Sequence, residues 1–517
     1  MARRASAIPP GSDRSAVVVR GLLLAIGAVL LLATALLRPI DGDEGYYAAA
    51  AGLTAGGAAP YADYFYPQAP LLPYLYAPLV KVAGPDLRAL RLQSAVLAVL
   101  TLVLWGALLA HVWRGRPWLQ VAGLALLVAA PGVVSWAVTV KTYALTGLLS
   151  LAALAALARG VEHDARPGWL AAAGLAAGLA GSVRLFFAPV GPVLALALVL
   201  WPAAGGRRRA LAGAAWLLAG TALGLAPLAA AWLQAPGVAV FNNVGYHELR
   251  FSELRDLHPD AGLGRRAIAS LIGTSRVLAT RPYLLGSLLL AAWGAAGLGR
   301  STGAEGRFLR ASGLAAAVLL LAAMAPDPVH AQYFTSPLVI ALLPLATAGL
   351  ARLGASSRRQ GLAAAAAALV VGGGLLGVLR PGMVRDPLWS LANYDQVVAD
   401  IQARTRPGDT VFSFWPGYVF GADRRYLPGM ENQFAIGVSE ALDAEQRRRF
   451  HVAGRHELAR AFAAREPALV VLGAWMNEVN TALDDHQMTE LLAVFHAQYD
   501  AVAADGDVTL CAPRRHP

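Results

Sequence analysis

Three carboxylates, Asp41, Asp43 and Glu44, stand together in "RPIDGDEGYYAAAAGL" (38–53), directly after a charge-free apolar run. A carboxylate within hydrogen-bond reach of a hydroxyl can take its proton as a general base. Where an apolar segment ends it is partly desolvated, and desolvation raises a carboxyl pKa toward a useful value. Asp43 and Glu44 are adjacent, so their side chains diverge and form no dyad. One can meet a reacting group while the other makes a salt bridge or hydrogen bond. The plainer alternative is a helix cap: Asp41 or Asp43 would precede a helix starting at Glu44, where negative charge is favourable. Position favours the cap for Asp41 and leaves Asp43 open between cap and base.

Cations complement these acids. The chain has only two lysines, Lys81 and Lys141, against 41 arginines. Lys141 lies in "SWAVTVKTYAL" and Arg184 in "AGSVRLFFAPVGP", both otherwise apolar. A charge at the bilayer centre costs about 2.5–3.5 kcal/mol on insertion scales. Each therefore calls for a lipid phosphate, a carboxylate such as Asp43, or a snorkelling route to water. Arg88 and Arg91, opening the second apolar run, are weaker candidates. "PDPVHAQYFTSPLVI" sets His330 and Tyr333 in a short loop, where a lone histidine is more often structural than catalytic.

The elements that must position these residues are membrane helices. Of the 517 residues 57% are hydrophobic and 15% charged, and the mean hydropathy is +0.52. A soluble domain carries roughly 25% charge. Apolar runs fall at about 16–37, 89–112, 118–136, 142–159, 168–183, 186–204, 210–233, 283–299, 311–326, 335–353 and 361–379. Each reads as a membrane span, about eleven in all. The first is longer than a typical signal h-region of about 7–15 residues and is read as a retained helix. Cys511, the single cysteine, excludes an intrachain disulfide and a cysteine metal cage.

Alternate short loops are basic: "RGRP", "RGVEHDARPG", "GGRRRA", "RSTGAEGRFLR" and "RLGASSRRQ", with Arg3, Arg4 and Arg14 at the N-terminus. By the positive-inside rule these face the cytoplasm, and an odd span count puts the C-terminus outside. Of the 14 acids before residue 380, only Asp13, Glu162, Asp164 and Glu305 fall on the basic side. The other ten, including Asp41, Asp43, Glu44, Asp63, Asp86, Glu248, Glu253, Asp256, Asp260 and Asp327, fall on the outer side. Acids determine topology weakly, so their clustering points to chemistry on that face. The net charge of +11 resides in the membrane part, because the tail from Arg380 holds 14 arginines and 18 acids. That distribution orients a membrane protein and is no nucleic-acid footprint.

The expected division is a cytoplasmic N-terminus (1–15), a transmembrane domain (16–379) with outer loops at 38–88 and 235–282, and an extracytoplasmic α/β domain (380–517). In the tail, "RPGDTVFSF", "EPALVVLG" and "DVTLCAP" read as strands, and "NYDQVVADIQART", "HELARAFAAR" and "TELLAVFHAQY" as helices. "RRAIASLIGTSRVLATR" reads as an interfacial amphipathic helix.

With these pieces together, the chain resembles the GT-C superfamily of integral membrane glycosyltransferases, in particular bacterial relatives of protein O-mannosyltransferases and lipid A aminoarabinose transferases. The resemblance rests on the Asp43-Glu44 pair, the aromatics Tyr46 and Tyr47, the small-residue helix and the proline stretch from Pro67 to Tyr74. "LRALRLQSAVLAVLT", "LAAGLAGSVRLFFAPVGP" and "HAQYFTSPLVIALLPL" support it over residues 16–355, the tail matching only in placement. Many members carry a lysine in the proline stretch, where this chain has "YPQAPLL" with Gln68 or Tyr66 at that place. The resemblance implies inverting transfer of a sugar from a polyprenyl phosphate to an acceptor hydroxyl, with membrane lipids around the site. It implies Asp43 as base, Glu44 orienting it or binding acceptor, and Lys141 and Arg184 stabilising the leaving phosphate, with Tyr46 and Gln68 near the substrates. No cofactor is called for, and a divalent metal is left open. The acceptor is a glycan, lipid or protein. The rival classes are a polysaccharide polymerase or ligase using lipid-linked sugars, and a lipid or glycolipid transporter, which would call for paired halves and broken mid-membrane helices.

Overall fold

The computed structural model describes residues 10–162, 166–203, 205–250, 263–301, 303–325, 331–334, 338–355, 357–379, 388–473 and 485–514. Helix α1 (Pro10–Leu37) ends just before the acidic motif, and α2 (Glu44–Ala55) begins inside it. Helix α3 (Leu71–Ala83) follows the proline stretch, and α4 (Leu87–Val112) returns through the bundle. Asp86 caps α4, its carboxylate accepting the N–H groups of Arg88 at 2.8 Å and Ala89 at 3.3 Å.

Each of the eleven expected runs contains helix, but among the described residues only five helices are long and apolar enough to cross a membrane. The number is seven if each bent pair is one span: Gly206–Gly224 with Ala226–Gln234 (42°), and Ala267–Ala279 with Pro282–Ala295 (106°). The shortening has a local cause. Proline fixes φ and lacks an N–H, so it starts helices and does not continue them. The run at 118–136 is accordingly divided into Pro117–Val128 and Pro131–Trp136, and Pro189 precedes Val190–Leu200. The expected amphipathic helix is present as Leu263–Ala279, while Glu253, Asp256, Asp260 and Asp327 lie outside the described residues.

Helices surrounded by apolar tails gain little from hydrophobicity alone and associate through close backbone approach at small residues. Gly174 and Gly178 of Pro167–Val183 meet Gly220 and Gly224 of Gly206–Gly224 in this way. A Cβ at Gly174 would lie 1.8 Å from the Leu217 carbonyl oxygen, and one at Gly220 would lie 2.0 Å from that of Ala171.

The bundle has two chemically distinct ends. At one, Arg114 pairs with Glu162 at 3.1 Å, and Arg307 donates to the Val161 carbonyl at 2.6 Å. At the other, the end of α1, the start of α4 and the starts of Thr142–Glu162 and Leu185–Phe187 converge.

The C-terminal domain sits on this second end. Its five strands, β1 (Thr410–Ser413), β2 (Arg425–Tyr426), β3 (Leu469–Leu472), β4 (Tyr499–Asp505) and β5 (Val508–Pro513), run in the order β2-β1-β3-β5-β4. β1 is parallel to β2 and β3, and β5 is antiparallel to β3 and β4. The three expected strands are β1, β3 and β5, and the expected helices are Leu391–Arg404, Arg455–Ala463 and Asp485–Gln498. The additions to the expected set are β2 and β4, the latter joined to β5 in a hairpin turned at Gly506 with φ +60°. Gly45 of α2 lets the domain approach: a Cβ there would lie 2.5 Å from Trp415 Nε1.

Candidate active site

The site is built on one buried ion pair. Glu44 and Arg91 are both fully buried, and Arg91 Nε donates to Glu44 Oε1 at 2.8 Å while its Nη2 pairs with Oε2. Arg91 spends its remaining N–H groups on the carbonyls of Ala35, Arg38 and Pro39 at 3.2, 2.8 and 3.1 Å. Glu44 also accepts the N–H groups of Val140 and Asp41, both at 2.9 Å. Helix α4 thereby ties the end of α1, the acidic loop and the segment before Thr142 together. Arg91 therefore does not face a substrate; burial and five partner oxygens make it structural. Removing one partner of such a pair leaves a buried uncompensated charge, at a cost of about 3–5 kcal/mol. Arg91→Met should lower stability by about that much, read as a lower thermal midpoint in detergent, and Arg91→Met with Glu44→Leu should recover part of the loss.

Above this base lie the other two carboxylates. Lys141, 3% exposed, has its Nζ 2.5 Å from Asp41 Oδ1 and 2.8 Å from Asp43 Oδ2. A third proton points toward Gln332 Oε1 at 3.4 Å. Burial opposes charge on Lys141, but Asp41 and Asp43 reverse that and hold the ammonium protonated. Burial likewise pushes the Asp41 carboxyl up, and Lys141 and Arg38 more than offset it, leaving Asp41 below the usual carboxylate range. Arg38 and Lys141 both lie against the Trp136 ring, at 4.4 and 4.6 Å from its centroid.

Asp43 stands at the N-cap position of α2, yet its side chain makes no capping bond. Asp41 takes the local role, its Oδ1 accepting the Asp43 N–H at 3.1 Å. Asp43 is also the most open of the three acids, at 28% exposure against 16% for Asp41 and 0% for Glu44.

Arg184 completes the cluster. Its guanidinium lies over Tyr333 and Tyr143, at 4.6 and 5.5 Å, and donates to Thr142 Oγ1 at 3.4 Å. Among the described residues it has no carboxylate partner. Tyr47 feels both Arg184 and Asp43, and burial pushes its hydroxyl up, so it stays a protonated donor. Tyr46 packs on Tyr47 and edge-on to Phe434 of the C-terminal domain, at 4.1 and 5.6 Å. His247 borders the same ring of residues, donating from Nε2 to the Pro67 carbonyl at 3.2 Å. Burial lowers its pKa to about 4, so it is neutral at pH 7 and serves as a fixed donor.

Other expected site residues lie elsewhere. Arg88 pairs with Asp395 of the C-terminal domain, Nη1 to Oδ1 2.5 Å, and joins the two domains. Gln68 bonds through its backbone, N–H to Tyr66 oxygen at 2.9 Å and carbonyl to the Tyr61 hydroxyl at 2.6 Å. His330 lies outside the described residues. Asp41 as a lysine partner, Arg38, Trp136, Tyr143 and His247 were not singled out by sequence reasoning, although Arg38, Trp136 and Tyr143 lie inside the segments quoted for Asp43 and Lys141.

Solved structures share the fold of this chain over nearly its whole length. ArnT from Cupriavidus metallidurans bound to undecaprenyl phosphate superposes with a TM-score of 0.67 at 16% identity, over 95% of this chain and 97% of that one. The Archaeoglobus fulgidus oligosaccharyltransferase in its apo form gives 0.56 at 15%, over 93% and 73%. The archaeal oligosaccharyltransferase AglB from the same organism, in complex with an inhibitory peptide and a dolichol-phosphate, gives 0.52 at 13%, over 89% and 70%. The likeness runs past residue 355 into the C-terminal domain, further than the sequence resemblance reached. No family model and no curated protein matches the sequence.

Proposed function

We propose that the chain is an inverting glycosyltransferase that moves a sugar from a polyprenyl phosphate to an acceptor hydroxyl at the outer face of a membrane. In this reading the N-terminus is cytoplasmic and residues 380–517 form an extracytoplasmic domain over the site. Asp43 takes the proton of the acceptor hydroxyl as its oxygen attacks the anomeric carbon. The bond from that carbon to the phosphate oxygen breaks, and the polyprenyl phosphate leaves with the electron pair. Arg184 meets the charge that develops on the phosphate. Lys141 orients Asp43 against Asp41, and Glu44 orients the loop that carries both.

The carrying observation is charge balance around an open carboxylate. Arg38, Arg91, Lys141 and Arg184 face Asp41, Asp43 and Glu44, so these seven side chains hold one positive charge in excess. A phosphate diester brings one negative charge. The excess lies at Arg184, the cation without a carboxylate. Trp136, which carries Arg38 and Lys141 on its ring, also lines an apolar cavity of about 330 Å³ with Pro131, Pro282, Tyr283, Leu284 and Val339. A lipid chain beside a charged head group fits that juxtaposition. Two fold neighbours hold undecaprenyl phosphate and dolichol-phosphate.

The test supplies the purified chain, in detergent, with radiolabelled undecaprenyl-phosphate sugars and an envelope extract as acceptor. Label should move to the acceptor fraction as undecaprenyl phosphate is released. Transfer from nucleotide sugars, with none from lipid-linked ones, would overturn the proposal.

A further inference from the structure

The loop that bears Asp43 is gripped from the C-terminal domain. The carbonyl of Gly42 accepts two side-chain N–H groups from that domain, Trp415 Nε1 and Gln433 Nε2, each at 2.9 Å. Both donors are buried, Trp415 at 1% exposure and Gln433 at 2%. The Ile40 N–H donates to the Trp389 carbonyl at 2.6 Å. On the other side of Asp43, Gly45 is packed so closely on Trp415 that a Cβ would strike the indole. The backbone is therefore held at residues 40, 42 and 45, around the single residue between them that faces substrate.

Asp43 needs such support. It makes no capping bond, so α2 does not orient its side chain, and Lys141 holds its carboxylate only from the bundle side. A buried Gln–Trp pair converging on one carbonyl is a costly arrangement for packing alone, since Gln433 Oε1 is left buried without a partner. We propose that Trp415 and Gln433 are positioning residues of the active site: by holding the Gly42 carbonyl they fix where the Asp43 carboxylate stands. This rests on Asp43 being the base. The C-terminal domain is then a working part of the catalytic centre, and a displacement of about 1 Å in a reacting group costs on the order of 10² in rate.

The test uses the full-length chain and two independent readouts. Gln433→Ala and Trp415→Phe, the latter keeping an aromatic ring without the N–H, should speed hydrogen–deuterium exchange in the peptide spanning residues 40–47. Both should lower kcat by about 10–10²-fold with donor and acceptor KM unchanged. Gln433→Glu separates positioning from packing. As a carboxylate it repels the Gly42 carbonyl, and as a carboxylic acid it donates to it, so its kcat relative to wild type should rise as pH falls. A flat ratio across pH would overturn the proposal, as would unaltered exchange in that peptide. A raised acceptor KM with kcat intact would also overturn it, making Gln433 an acceptor contact through Oε1. A wild-type chain that transfers no lipid-linked sugar would remove the proposed function, while the exchange measurement would still report whether the two side chains hold the loop.

Discussion

Asp43→Asn should lower sugar transfer by about 10²–10⁴-fold, the usual worth of a general base, while polyprenyl-phosphate binding stays intact. The amide keeps the shape and can still accept a hydrogen bond from Lys141, but it cannot take a proton. The arrangement of Lys141 makes the outcome specific. The lysine lies 2.5 Å from Asp41, so the ammonium keeps a carboxylate partner after Asp43 is neutralised and the buried charge is not stranded. Asp41→Asn should therefore act differently, leaving Lys141 to pair with Asp43 alone and making Asp43 a weaker base. Steady-state kinetics with binding of fluorescent undecaprenyl phosphate separates the two. Near-normal turnover by Asp43→Asn would remove that residue from the mechanism.

The second large effect belongs to Arg184. Arg184→Ala should lower kcat/KM for the lipid-linked donor by about 10²–10³-fold, the worth of one preorganised donor to a developing oxyanion. The acceptor KM should hardly change. The reasoning is that Arg184 meets tyrosine faces and a threonine hydroxyl where its neighbours meet carboxylates. It is thus the cation of the cluster with charge left to offer a phosphate. Equal effects on the apparent affinities of donor and acceptor would count against this role.

The sequence made the chemistry of the first loop legible because charge is so rare around it. An acid motif at the end of an apolar run and a lone lysine in another stand out without a structure, and Lys141 does meet Asp43. What stayed hidden were pairings decided by tertiary approach. Arg91 looked like one more cation near the surface, but its burial under Glu44 depends on how α4 crosses the end of α1. Trp415 and Gln433 reach Gly42 from 373 and 391 residues away, and no local spacing marks them. Helix breaks were hidden for a different reason: hydropathy measures apolar length and does not register the prolines within the runs, at 131 and 189.

In the proposed reaction one carboxylate activates the acceptor for direct displacement of a lipid phosphate. The most direct measurement is the anomeric configuration of the transferred sugar, read by NMR on product made from a donor of known configuration. A single displacement assisted by Asp43 inverts that centre. Retention would mean two displacements through a covalent intermediate and would contradict Asp43 as a base acting in one step.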